Sequence, residues 1–191
     1  MIGHSATRRR ATVRAQRVLV GLAFAMAAPS PARAEELEYE VKAEFVERFT
    51  RFIEWPAASF GSPAATFVVC LAGQSPIAPH LEKLAKERAI KGRKATFRRV
   101  AQPKEVDGCH LVFIGPTEGG KLADYLAVTS GRPILTIGDS AGFAARGVLL
   151  NFYLQGGYVR FEVNAAETKK SGLQCSAKLL KLGKTVSLWG P

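Results

Sequence analysis

Short apolar runs alternate with helical segments along most of this chain, and that rhythm restricts the fold more than any other feature. The runs at 66–71 (TFVVCL), 110–114 (HLVFI) and 133–137 (PILTI) are apolar throughout rather than alternating. Such runs suit strands buried on both faces, as in a parallel sheet covered by helices. Residues 95–100 (ATFRRV) form a more polar run, expected at a sheet edge. Between the strands, 79–88 opens on a proline and turns Leu81 and Leu84 to one side, and 121–128 follows a glycine-rich turn. Both read as helices. The rhythm then changes. Residues 148–154 and 158–163 flank Gly156-Gly157, which is a hairpin signature. Asn164 is placed to cap a helix through Glu167, and an apolar-faced helix closes the chain around Leu173, Leu179, Leu180 and Leu182. The expected fold is α/β: a mostly parallel sheet with helices on both faces and a C-terminal antiparallel hairpin.

Before the first strand lies AEFVERFTRFIEWP. Val41, Phe45, Phe49, Phe52 and Ile53 share one helical stripe over 37–55, and Lys42, Glu44, Glu47, Arg48, Arg51 and Glu54 fall mostly elsewhere. Pro56 disfavours helical geometry at Trp55 and ends the helix there. The phenylalanines read as core. Trp55, at a helix end, reads equally as core or as an interface anchor.

The first 34 residues have the three-part layout of an export leader: a basic start at Arg8–Arg10, Arg14 and Arg17, an apolar run at 18–28, and the small residues Ala32 and Ala34. The apolar run is about half as long as a membrane span. Cleavage is expected before Glu35, leaving 35–191 as one soluble periplasmic domain. Export also changes the charge argument. The chain carries net +11, but six of its 27 basic residues are arginines of the leader, which leaves 21 against 16 acidic ones, a net of +5. A nucleic-acid partner is therefore not implied. The one remaining basic cluster, 86–99, reads as a solvated helix end and edge strand.

In an oxidising compartment, Cys70, Cys109 and Cys175 should yield one pair and one odd thiol. Cys70 ends FVVC and Cys109 precedes HLVFIG, so bridging them requires those strands to be neighbours. Cys175 is expected on the last helix with a buried thiol. Only His80 and His110 follow the leader, and no Cys or His pair has ligand spacing, so no metal is expected. GPTEGGK (115–121) matches a phosphate-binding loop in pattern and context, but Leu122 stands where a hydroxyl should hold magnesium. A turn entering a helix is the better reading. In IGDSAG, Ser140 stands beside Asp139 without a histidine in a recognisable motif, which favours a side-chain-capped turn over a nucleophile. No cofactor is implied.

The order and spacing of VKAEFVERFTRFIEWP, FVVCLAG, CHLVFIG, PILTIGDSAGFAARGVLLNF, VRFEVN and SGLQCSAKLLKL resemble the YfiR-like family of small periplasmic proteins. The resemblance covers nearly all of 35–191. It implies a regulator rather than an enzyme, one that binds and represses an inner-membrane diguanylate cyclase or similar sensor and lowers cyclic di-GMP signalling and biofilm growth. It also implies an α/β fold, a tendency to homodimerise, a Cys70–Cys109 disulfide, and Trp55 and Glu162 as candidate partner contacts. Glu47, Arg48, Cys175 and Ala177 depart from the family pattern, and Ala145 and Phe152 stand where some relatives carry a second cysteine pair. The alternative is a periplasmic small-ligand-binding protein, its site lined by the loops near Gly73, Gly115 and Asp139. A hydrolase using Ser140 or Asp139 is a third reading.

Overall fold

The computed structural model describes residues 30–186. Most of the leader expected at 1–34 lies outside them, and its expected cleavage point falls in the exposed first turns of the first helix. That helix, α1 (Pro31–Phe52), leads into a two-residue strand, β1 (Ile53–Glu54). There follow β2 (Phe67–Ala72), α2 (Ala78–Glu87), β3 (Ala95–Val100), β4 (Leu111–Ile114), α3 (Leu122–Thr129) and β5 (Leu135–Gly138). The hairpin β6 (Leu150–Gln155) and β7 (Tyr158–Asn164) comes next, then α4 (Ala165–Lys170), β8 (Gln174–Cys175), α5 (Ala177–Leu182) and β9 (Lys184–Val186).

The main sheet has the order β3-β2-β4-β5-β6-β7-β9. From β3 to β6 all neighbours are parallel, β7 is antiparallel to β6, and β9 runs parallel to β7. This is the α/β architecture the strand–helix alternation predicts. The wholly buried strands β4 and β5 occupy its centre, and the polar β3 is an edge. On one face, α1, α2 and α5 cover a core that includes Phe49, Phe67, Leu81, Phe113, Phe152 and Leu179. On the other, α3 covers Val112, Ile114, Leu122 and Tyr125. Gly156 and Gly157 both have positive φ (59° and 78°), the geometry a tight two-residue hairpin turn needs.

Three features depart from the sequence expectation. The helix stops at Phe52 rather than Trp55, because Ile53 and Glu54 leave α1 in extended geometry and pair with Cys175 and Gln174 of β8. Cys175 therefore sits on a strand, half-buried, and not on the last helix. The terminal segment also adds β9 to the sheet edge, where Gly183 packs so closely that a Cβ would lie 2.5 Å from the side chains of Phe161 and Val163.

Candidate functional site

Parallel pairing of β2 with β4 brings Cys70 of β2 beside Cys109, which lies two residues before β4. The two residues are joined as a disulfide with Cα atoms 6.0 Å apart, and both are buried. Cys70 is also in register with Arg98 on β3. The Arg98 guanidinium reaches over the bridge: one nitrogen donates to the Asp107 carbonyl at 2.7 Å and lies 3.1 Å from Cys109 Sγ and 3.8 Å from Cys70 Sγ. The bridge thus ties β2 to the segment entering β4, and the Arg98 side chain ties β3 to the same segment over it.

A buried polar cluster joins α1 to the C-terminal end of β5. Lys42, only 3% exposed, donates to Asp139 Oδ1 at 2.6 Å and pairs with Glu38 one turn earlier. Burial pushes the Asp139 carboxyl above its usual range, and the Lys42 ammonium works against that shift. Tyr39, beside Asp139, has its hydroxyl pushed up by burial and then by the Asp139 charge. Sequence reasoning placed Lys42 off the apolar stripe and Asp139 in a capped turn. Their partnership, across 97 positions, has no local signal. The capping role falls to Asn151, whose Oδ1 accepts from Ser140 N at 3.4 Å. Asn151 Nδ2 donates to the Ser140 carbonyl at 3.0 Å and to Glu162 Oε2 at 3.2 Å, and Lys184 approaches the other Glu162 oxygen at 3.4 Å. Glu162 therefore sits half-buried at the edge of this network.

His110 lies at the other end of the sheet. Its Nδ1 accepts from Val68 N at 3.0 Å, which leaves Nε2 protonated toward the Ser59 carbonyl at 3.1 Å. Its ring stacks on Phe60 and Phe67. Burial holds its pKa below the ordinary imidazole value. Trp55 joins this cluster. Its indole nitrogen donates to the His110 carbonyl at 3.2 Å, its ring meets Phe67 edge-on, and only 7% of it is exposed. In this conformation Trp55 offers almost no surface to a partner. His110 precedes β4 and Ser140 follows β5, and because these neighbouring strands are parallel the two residues lie at opposite ends of the sheet and are not assembled as nucleophile and base.

The GPTEGGK segment forms a 3-10 turn (Pro116–Lys121) running into α3. Glu118 is folded inward beside Tyr125, whose hydroxyl is pushed up to about 12 by burial and by the Glu118 charge, and Lys121 turns back to Glu118 at 3.5 Å. A buried carboxylate in the loop opposes a phosphate rather than receiving one. Among the described residues no group of His, Cys, Asp and Glu gathers as a metal site, and no helix is long and apolar enough to cross a membrane.

A family model described as YfiR/HmsC-like matches residues 39–184, from within α1 to the start of β9. The chain belongs to the YfiR/HmsC-like family. Among solved structures, a conserved domain protein from Vibrio cholerae O1 biovar El Tor strain N16961 is similar at 10% identity with a TM-score of 0.47. The alignment covers 78% of this chain and 60% of that one, so this chain spans about three fifths of that protein's length. No curated protein matches the chain.

Proposed function

We propose that the mature chain, 35–191, is a periplasmic repressor that binds the external part of an inner-membrane diguanylate cyclase and holds it inactive. The observation that carries this reading is the family match over 39–184, which takes in both cores, the disulfide and the hairpin. Such a protein performs no chemistry. It shifts its target only by binding one state more tightly than the other. Lowering an active fraction from half to about one per cent requires roughly a hundredfold preference for the inactive state. Of the two candidate contacts, Glu162 is half-buried and shared between Asn151 and Lys184, so a partner meets it only at the rim of that network, and Trp55 contributes by holding β1 against β2 and the start of β4. The bridge is the switch: reducing Cys70–Cys109 loosens the repressor and frees the target.

The test combines genetics with capture. Deleting the gene should raise cellular cyclic di-GMP. Mature protein used as bait on detergent-solubilised membranes should retrieve a protein with a cytoplasmic nucleotide-cyclising domain. Unchanged cyclic di-GMP together with an empty bait would end the proposal.

A second reading has its own observation. At the C-terminal ends of β2, β3 and β4, where the chain passes to both sides of β2, lies an open cleft of about 650 Å³ lined by Gly73, Gln74, Arg99, Glu105 and Thr117. That is where parallel sheets bind small molecules. Calorimetry with amino acids, nucleotides and small anions tests it, and heats indistinguishable from dilution would remove it.

A further inference from the structure

The face of α1 turned toward α5 is only partly covered and sets phenylalanines among charged side chains. A groove of about 440 Å³ runs between the two helices, its walls including Phe45, Arg48, Phe52 and Leu182 and its floor Phe161 and Leu179. Leu182 is 63% exposed, and Phe45 and Phe52 are only partly buried. Two further exposed apolar side chains lie beyond the groove. Leu37 lies two helical steps of four before Phe45, and Leu154 lies on the same face of β6 as Phe152, two residues on. Both are more than half exposed. A recessed groove whose walls carry exposed or half-exposed apolar side chains is the kind of surface a partner covers.

The charges around the groove are one-sided. Its two carboxylates already face cations: Glu44 takes both Arg88 nitrogens at 2.7 and 3.0 Å, and Glu47 accepts from Arg51 at 2.8 Å through one oxygen, its other oxygen being buried without a hydrogen-bond partner. Arg48 and Lys178, the latter 5.5 Å above the Phe52 ring, have no acidic partner among the described residues. Unpaired cations around an apolar floor call for an apolar segment flanked by Asp or Glu. A second copy fits poorly, because a two-fold axis through the groove would set Arg48 and Lys178 against their own images. A flat lipid surface fits poorly as well, since the apolar floor is recessed.

We infer that the α1–α5 groove is the surface on which the target docks, and that its occupant is an apolar segment of the target's periplasmic part flanked by acidic side chains. This rests on the repressor reading and adds the docking face and the chemistry of the occupant. The test is photo-crosslinking in living cells, with benzoylphenylalanine at Leu182 of the full chain and, as control, at Ala127, which is exposed on α3 across the sheet. The expected adduct forms from Leu182 and not from Ala127, and mass spectrometry maps it to an acidic-flanked apolar segment of a membrane protein. Arg48→Glu with Lys178→Glu should cut its yield roughly tenfold, the loss of one good contact, at an unchanged melting temperature, while Arg48→Lys keeps it. Adducts to the chain itself, to lipid or to a segment without acidic residues overturn the inference. Capture of a membrane cyclase from Ala127 alone overturns the groove and leaves the repressor reading standing. Capture from neither position overturns the groove, while the repressor reading is decided by the gene deletion and the bait.

Discussion

Removing the Cys70–Cys109 bridge should cost a large share of this fold's stability. The cysteines are 39 positions apart. Cross-linking a loop of that length withdraws about 13 cal/mol/K of entropy from the unfolded chain, or about 4 kcal/mol at 25 °C. Domains of this size are stable by only about 5–15 kcal/mol, so the bridge decides much of the margin. With a urea slope near 2 kcal/mol/M, the unfolding midpoint should fall by about 2 M. The cleanest comparison is wild-type protein unfolded with and without reductant, because it changes only the bond. Cys70→Ala with Cys109→Ala should fall slightly further, since two buried sulfurs are also lost. Thiol titration of the oxidised protein in denaturant should find one free thiol per chain, that of Cys175. A midpoint shift below about 0.5 M, or three free thiols, would refute the reasoning.

Lys42→Met leaves Asp139 buried beside Glu38 without its cation and should cost about 3–5 kcal/mol by chemical denaturation, most of it recovered by adding Asp139→Leu. A double variant no more stable than the single one would contradict this account of the pair. His110 contributes to pH dependence with a definite sign. Its folded pKa lies below the unfolded value near 6.5, so its contribution is complete above that value and is lost as the pH falls through it toward the folded pKa. Melting temperature measured from pH 7.5 to 5 should therefore decline, and His110→Gln should flatten that part of the profile. Burial pushes the Cys175 thiol up, so iodoacetamide at neutral pH should label it slowly in the native protein and quickly in urea. Equal rates in the two states would count against its burial.

Much of the fold was legible because its signals are local. Strands β2, β4 and β5 are continuous apolar runs because both their faces are covered, and the expected spans lie within a residue or two of the observed ones. Gly156-Gly157 declares the hairpin, since the turn needs positive φ at both positions. The spacing of the aromatic run in α1 predicts a single core stripe, and the structure divides it. Phe49 is buried, while Phe45 and Phe52 line an open groove, because α5 reaches over only part of the helix. Strands β1, β8 and β9 escaped because two- and three-residue strands have no periodicity to detect.

Residue types and their spacing were enough to settle the α/β class, the order of the elements and the family resemblance, since backbone preference and side-chain period are properties of a few adjacent residues. Tertiary structure alone decided which distant groups meet: Lys42 with Asp139, Trp55 with the His110 carbonyl, Arg98 with the two sulfurs, Asn151 with Glu162. The physical reason is that such groups leave water only when strand order brings them together, and strand order is set by the packing of the whole sheet rather than by any neighbour along the chain.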